Sequence, residues 1–286
     1  MTELEVREVT VADAESCGRI FYEAFESIAT RHNFPIEPDS PEFTHFLAGR
    51  LLAHNEVVGL VAERDGVVLG SAFVDERGAI AGIGPVTVDP KAQDDGIGRA
   101  LMDAVLRRER RRGAAGVRLV QTAYHYRSLA LYAKLGFVVR EPLSVMQGTP
   151  PSLSLPGLGV RPAVDADRAA CDELCERVHG HNRSGELRDA IAAGTAHVVE
   201  RPDRISGYAT GFGYGWHAVA ETNEDLIALL ASPEAYMSLG ILVPSRNAEL
   251  VRWCLQHGLR IVQQSTLMTI GLSNEPAGAY LPSIVY

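Results

Sequence analysis

One short run constrains this chain more than any other: Gln93-Asp94-Asp95-Gly96-Ile97-Gly98, between an extended segment, Ile83-Gly84-Pro85-Val86-Thr87-Val88, and a helix predicted to begin near Arg99. A glycine-rich turn that ends a strand and opens a helix directs free backbone N–H groups and the positive end of the helix dipole at one point. Such a point suits a phosphate. On spacing alone the run reads first as a plain strand-to-helix turn. A second pattern follows it, Ser128-Leu129-Ala130-Leu131-Tyr132-Ala133-Lys134-Leu135-Gly136-Phe137, a short amphipathic helix with one tyrosine and a glycine at its end.

The rest of the first half alternates helical and extended periodicity. A strand is predicted over 4–9, helices over 12–29 and 41–53, and strands over 57–63 and 67–74 about Asp65-Gly66, a dipeptide suited to a type I′ hairpin turn. Strands over 79–88 and 117–122 flank a helix over 99–112. The ordered pair V-x-V-x-P-x-x-Q-x-x-G-x-G and S-x-x-L-Y-x-K-L-G-F, over roughly residues 55–147, resembles the GNAT superfamily of acyl-CoA-dependent N-acyltransferases. The β-α-α-β-β-β-α-β-α-β order agrees with that fold. The resemblance implies an α/β (α+β) chain in which a mixed, mostly antiparallel sheet is flanked by helices.

The stretch 148–158, rich in proline, glycine and serine, interrupts every periodicity and predicts a domain boundary. Beyond it the chain faintly repeats itself. Val6-Arg7, Ala12-Asp13 and Cys17 recur as Val160-Arg161, Ala166-Asp167 and Cys171, and Gly136-Phe137 with Met146 recurs as Gly258-Leu259 with Met268. The first set is offset by 154 and the second by 122, so the second copy is shorter in its middle, where the glycine turn belongs. The expected organisation is therefore a catalytic GNAT-like domain at 1–147, a linker at 148–158 and a degenerate GNAT-like domain at 159–286 without the phosphate cradle.

Composition narrows the partners. At 286 residues with 46% hydrophobic and 22% charged content, the chain has ample core for two domains. The start of the chain has no basic and apolar leader, and no apolar run is long enough to span a bilayer, which predicts a cytoplasmic protein without a membrane partner. Cys17, Cys171, Cys175 and Cys254 fit no zinc spacing and read as buried reduced thiols, and no metal is expected. A net charge of −9 argues against a nucleic-acid partner and is compatible with a cationic amine substrate. Either a monomer or a homodimer fits.

The resemblance assigns roles position by position. Val86, Thr87 and Val88 would pair through their backbone with the pantetheine arm of acetyl-CoA as an added strand does. The turn from Gln93 through Asp94, Gly96, Ile97 and Gly98, with Arg99 and Ala100 entering the helix, would hold the pyrophosphate. Asp94 and Asp95 depart from the family, which commonly carries glycine or a basic residue there, and two carboxylates repel a pyrophosphate; Arg99 and Lys91 are candidates to offset them. Arg107, Arg108, Arg110, Arg111 and Arg112 read as a solvated helix end favourable to the dipole, or as a site for the 3′-phosphate.

Tyr132 aligns with the family's general acid, which returns a proton to the departing thiolate, whereas periodicity alone makes it a core aromatic. His125 stands where the family usually has asparagine contacting the pantetheine; it reads as a ligand contact, a base or a surface residue. Ser128 joins it among the candidate contacts. The matching positions of the second copy are Asn247 and Cys254, so that copy is not expected to catalyse. No carboxylate lies within 80–88, where many relatives place a glutamate base, which leaves Glu63, Asp75, Glu76 and the terminal carboxylate after Tyr280–Tyr286 as candidates. The expected activity is transfer of acetyl from acetyl-CoA to the primary amine of a small molecule, by direct attack in a ternary complex. The alternative is a non-catalytic acyl-CoA-binding or sensing protein.

Overall fold

The computed structural model describes residues 4–36, 38 and 40–284. They form two compact units of mixed α/β structure. The first contains 4–138 and Thr269–Leu272; the second contains Val139–Met268 and Ser273–Ile284.

The first unit begins with β1 (Glu5–Glu8), a 3₁₀ turn, α1 (Ala14–His32) and α2 (Pro41–Leu52). Next come β2 (Val57–Arg64), β3 (Val67–Asp75), β4 (Ile80–Val88), α3 (Ile97–Arg112), β5 (Gly116–Thr122) and α4 (Tyr126–Lys134). The predicted order is observed. β2 and β3 turn at Asp65 and Gly66, whose φ values of 54° and 76° are those a type I′ hairpin requires. β1, β2, β3 and β4 pair antiparallel, and β4 pairs parallel with β5. α3 buries Ile97, Leu101, Met102, Val105 and Leu106, one stripe at helical spacing. It comes close to the sheet at Gly70, where a Cβ would lie 2.7 Å from the Thr87 carbonyl and 3.2 Å from Ile97 and Leu101 side-chain atoms. Cys17, Ile20, Val61, Val68 and Phe73 fill the core between α1 and the sheet.

The second unit contains β6 (Val138–Gln147), β7 (Gly159–Pro162), α5 (Arg168–His179), α6 (Ser184–Ala192), β8 (His197–Arg201) and β9 (Arg204–Ala209). It continues with β10 (Ala218–Ala220), α7 (Asn223–Leu230), β11 (Ile241–Pro244), α8 (Ala248–Gln256), β12 (Arg260–Gly271) and β13 (Ala279–Leu281). The units do not part at the proline-rich stretch 148–158. β6 belongs to the second unit because it pairs with β11, Leu143 opposite Pro244 and Met146 opposite Ile241. The end of β12 belongs to the first, where the Leu272 amide donates to the Ala115 carbonyl at 2.9 Å. Backbone pairing outweighs linker composition, and each half of the chain gives a strand segment to the other half's unit.

The two halves share detailed devices. Arg7 clasps Asp13 at 2.8 and 2.9 Å and Glu63 at 2.5 Å, while the Thr10 amide donates to Asp13. Arg161 clasps Asp167 at 2.7 and 2.9 Å and Glu200 at 2.6 Å, while the Val164 amide donates to Asp167. A β-bulge falls immediately before each of these glutamates, between Ala62 and Glu63 and between Val199 and Glu200. All four cysteines are buried and free, and among the described residues no helix is long and apolar enough to cross a membrane.

Candidate active site

The first unit's sheet opens beside the glycine turn. β4 and β5 pair over three positions only, Ile80 with Gly116, Ala81 with Val117 and Gly82 with Arg118. Beyond Gly82 the two strands part, while β4 stays paired with β3 at Ile83, Val86, Thr87 and Val88. The backbone of Val86–Val88 therefore has one edge in the sheet and one edge facing a wedge. Thr87 turns its side chain inward, where its hydroxyl lies 3.0 Å from that of Ser71, which leaves its backbone rather than its hydroxyl for a ligand.

At the end of β4 the chain passes through a short 3₁₀ turn, and Asp94 and Gly96 adopt left-handed φ values of 76° and 78° before α3 begins. Gly96 is the N-cap of α3 and no side chain caps this end. The amides of Ile97, Gly98 and Arg99 are thus left without intrahelical acceptors. A Cβ at Gly96 would meet nothing within 4 Å, so the approach to these amides is open. A pyrophosphate fits an open helix N-terminus of this kind.

The flanking charges are paired. Arg127, at the start of α4, binds Asp94, Arg64 reaches Asp95 at 3.5 Å, and Arg99 lies 3.7 Å from Asp103. The repulsion expected from Asp94 and Asp95 is therefore offset chiefly by Arg127 and Arg64, neither of which the sequence pointed to. Lys91 is exposed, and Arg108 and Arg112 at the far end of α3 are engaged by Glu76 and Glu109.

α4 is pinned to β5 by Gln121, which sequence reasoning missed because a single amide on a strand carries no pattern. Its Nε2 donates to the His125 carbonyl at 2.9 Å and to Ser128 Oγ at 3.1 Å, and its Oε1 is buried without a partner. Ser128 in turn donates to the His125 carbonyl at 2.9 Å, so its hydroxyl serves the helix start. His125 is half-buried, and burial with the nearby Arg127, His32 and Arg31 holds its pKa down, at about 4. Its imidazole is neutral at pH 7.

Tyr132 lies near the end of α4, buried, its ring 5.9 Å from that of Phe137 in an edge contact. Burial pushes its pKa up to about 12, so the phenol keeps its proton throughout the physiological range. The unfolded chain ionises this tyrosine near pH 10 and the folded chain near 12, so folding stability falls as pH rises through that window. Tyr132→Phe removes the term. The melting-temperature difference between wild type and Tyr132→Phe is expected to be small at pH 8 and to shift in favour of the variant between pH 10 and 12, by an amount of order 2 kcal/mol. An unchanged difference across that range would place the phenol in contact with water.

The three carboxylates that sequence offered as bases are all engaged by arginine: Glu63 by Arg7, Asp75 by Arg77 at 2.9 Å, and Glu76 by Arg108 at 2.5 Å. The candidate terminal carboxylate falls on residues 285–286, outside the described residues.

The sequence profile described as the acetyltransferase (GNAT) family matches residues 19–137. An "IAA acetyltransferase" of Azospirillum brasilense is 32% identical over 114 residues, covering 39% of this chain and 74% of that protein. This chain belongs to the GNAT acetyltransferase family. Acetyl-CoA is the co-substrate of that family. The fold is shared along nearly the whole length with the crystal structure of a Pyrococcus horikoshii protein, with a TM-score of 0.73, 18% identity and coverage of 96% of this chain and 94% of that one. It is shared likewise with a GCN5-related N-acetyltransferase from Sphaerobacter thermophilus, with a TM-score of 0.62, 16% identity and coverage of 95% and 96%.

Proposed function

We propose that this GNAT member is an N-acetyltransferase that moves acetyl from acetyl-CoA to the primary amine of a small molecule, and that only its first unit does so. The observation that carries the reading is the parting of β4 and β5 beside the uncapped, glycine-led start of α3. Acetyl-CoA supplies the acyl group as an activated thioester. The α3 amides of Ile97, Gly98 and Arg99, with Gln93 and the left-handed Asp94 and Gly96 shaping the turn and Ala100 completing the first helical turn, receive the pyrophosphate. Val86–Val88 offer backbone groups to the pantetheine amides and polarise the carbonyl under attack. The amine nitrogen bonds to the thioester carbon as the carbon–sulfur bond breaks; the amine releases a proton to solvent, and Tyr132 Oη donates one to the leaving thiolate. His125, neutral at the start of α4, offers a hydrogen bond to the pantetheine.

The second unit reads as a degenerate copy in a tandem arrangement. The shared arginine clasps, the matching bulges and the common element order support that reading. Its α7, in the place of α3, is capped from within. Thr222 accepts from the Asp225 amide at 3.2 Å, and the fully buried Asp225 carboxylate takes bonds from Thr222 at 2.6 Å, Ser206 at 2.7 Å and Arg201 at 2.9 Å. A protein side chain thus caps the start of α7, whereas no side chain caps α3. Cys254 stands in the place of Tyr132.

A thiol-release screen of small amines with acetyl-CoA tests the activity; turnover of at least one primary amine is expected, and tight acetyl-CoA binding with none turned over would favour a sensing protein. The cradle also carries a charge prediction. Asp94 competes with phosphate for Arg127, so Asp94→Asn, which tolerates the left-handed φ, is expected to tighten acetyl-CoA binding about fivefold at low salt and less at high salt. In an Arg127→Ala background the gain should vanish. A gain that persists there would mean that Asp94 acts on the phosphates directly.

A further inference from the structure

Among the described residues, the rim of the wedge carries an exposed arginine, Arg31, beside an aromatic pair. β5 ends at Thr122, and the following Tyr124 stacks on Phe34 with ring centroids 4.0 Å apart and an 8° tilt, with His32 at 5.5 Å on the same ring. His32 and Phe34 flank Asn33, the left-handed residue that ends α1. Because α1 packs along β3 and β4, its end meets the β5–α4 loop at the end of the sheet where β4 and β5 part. Arg31, His32, Phe34, Tyr124 and His125 gather there.

The groups that bear on His125 at this rim are the Arg127 and Arg31 guanidiniums and the His32 imidazole. Arg127 is held by Asp94, whereas Arg31 is exposed and forms no ion pair among the described residues. Among the described residues, the carboxylates of the neighbouring strands are held by arginine. Glu63, Asp75 and Glu76 are bound by Arg7, Arg77 and Arg108, and Glu26, on α1, accepts the Tyr22 hydroxyl at 3.1 Å. An anionic acceptor finds the Arg31 guanidinium and the His32 imidazole beside an aromatic pair.

We propose that the acceptor is an aromatic α-amino acid, its carboxylate received by Arg31 and His32 and its ring by the Phe34–Tyr124 pair, with the α-amine directed into the wedge. A guanidinium meets a carboxylate through two parallel N–H donors, which fixes orientation as well as charge. The ring adds apolar contact and offset or edge packing on the aromatic pair. The net charge of −9 is compatible with a cationic amine; at this rim the exposed Arg31 favours an acceptor that also carries a carboxylate. The inference rests on the N-acetyltransferase reading, and the transfer step is the one given above.

The test uses the full chain in a thiol-release assay with matched pairs, phenylalanine against phenethylamine and tryptophan against tryptamine, with spermidine as the polycation. The amino acid of each pair is expected to show a kcat/KM at least tenfold above its decarboxylated partner, with spermidine the poorest of the set. Arg31→Gln, an exposed substitution, should collapse the ratio within each pair toward one. Preference for the decarboxylated amine or for spermidine, or a ratio unmoved by Arg31→Gln, would overturn the acceptor assignment and leave the N-acetyltransferase reading standing. Turnover of none of the five amines by a chain that binds acetyl-CoA would overturn the acceptor assignment, and the N-acetyltransferase reading falls with it only when the wider amine screen also finds no turnover.

Discussion

Tyr132→Phe is expected to lower turnover with a competent amine tenfold to a thousandfold, while acetyl-CoA affinity and the melting temperature at pH 8 barely move. The substitution keeps the ring, its burial and its edge contact with Phe137 and removes one proton. That proton matters because a thiolate leaving group with a conjugate acid near pH 8 to 9 departs more readily when an acid is in reach. A phenol held near 12 by burial is fully protonated in the resting enzyme at working pH, so the loss should be nearly independent of pH between 7 and 9. Full turnover by the variant would remove Tyr132 from the mechanism. A fall in acetyl-CoA affinity equal to the fall in kcat/KM would make it a binding residue.

The cradle permits a substitution that separates binding from stability. A Cβ at Gly98 would meet Leu131 and Val88 at 3.6 Å, ordinary contact distance, and glycine inside a helix costs about 0.5–1 kcal/mol relative to alanine. Gly98→Asp therefore adds a carboxylate in the first turn of α3, where negative charge favours the helix dipole by about 0.3–1 kcal/mol. The variant should melt no lower than wild type and should lose acetyl-CoA affinity more than a hundredfold, because its carboxylate sets a negative charge in the first turn of α3, beside the amides proposed to receive the pyrophosphate. Gly96→Glu should abolish binding as well, although its left-handed φ of 78° strains any side chain and lowers stability. Binding that survives Gly98→Asp would mean that the pyrophosphate lies elsewhere.

Much of this was legible in the sequence because it rested on local chemistry. Asp65-Gly66 specified its turn, the apolar stripe of α3 its buried face, and the glycines of 93–98 an uncapped helix start. The recurrence of Arg7 and Asp13 as Arg161 and Asp167 proved to be the recurrence of one ion-pair device, a relation that needed only a constant offset to be seen. What stayed hidden depended on long-range pairing. β6 reads as the last strand of the first half, and only its register with β11 moves it to the second unit. The partners of Asp94 and Asp95 lie 33 and 31 residues away in the chain, and no local pattern marks Arg127 or Arg64 as their counter-ions. Gln121 is silent for the same reason. Glu63, Asp75 and Glu76 looked available as bases because the sequence does not show which arginine takes each carboxylate.

The central claim is that one unit of the two holds acetyl-CoA, at the start of α3. Calorimetric titration of acetyl-CoA into the intact wild-type chain, with Gly98→Asp alongside, tests it most directly. One site per chain in wild type and none in the variant, at an unchanged or higher melting temperature, is the expected result. Two sites per chain, or one site that Gly98→Asp leaves intact, would contradict it.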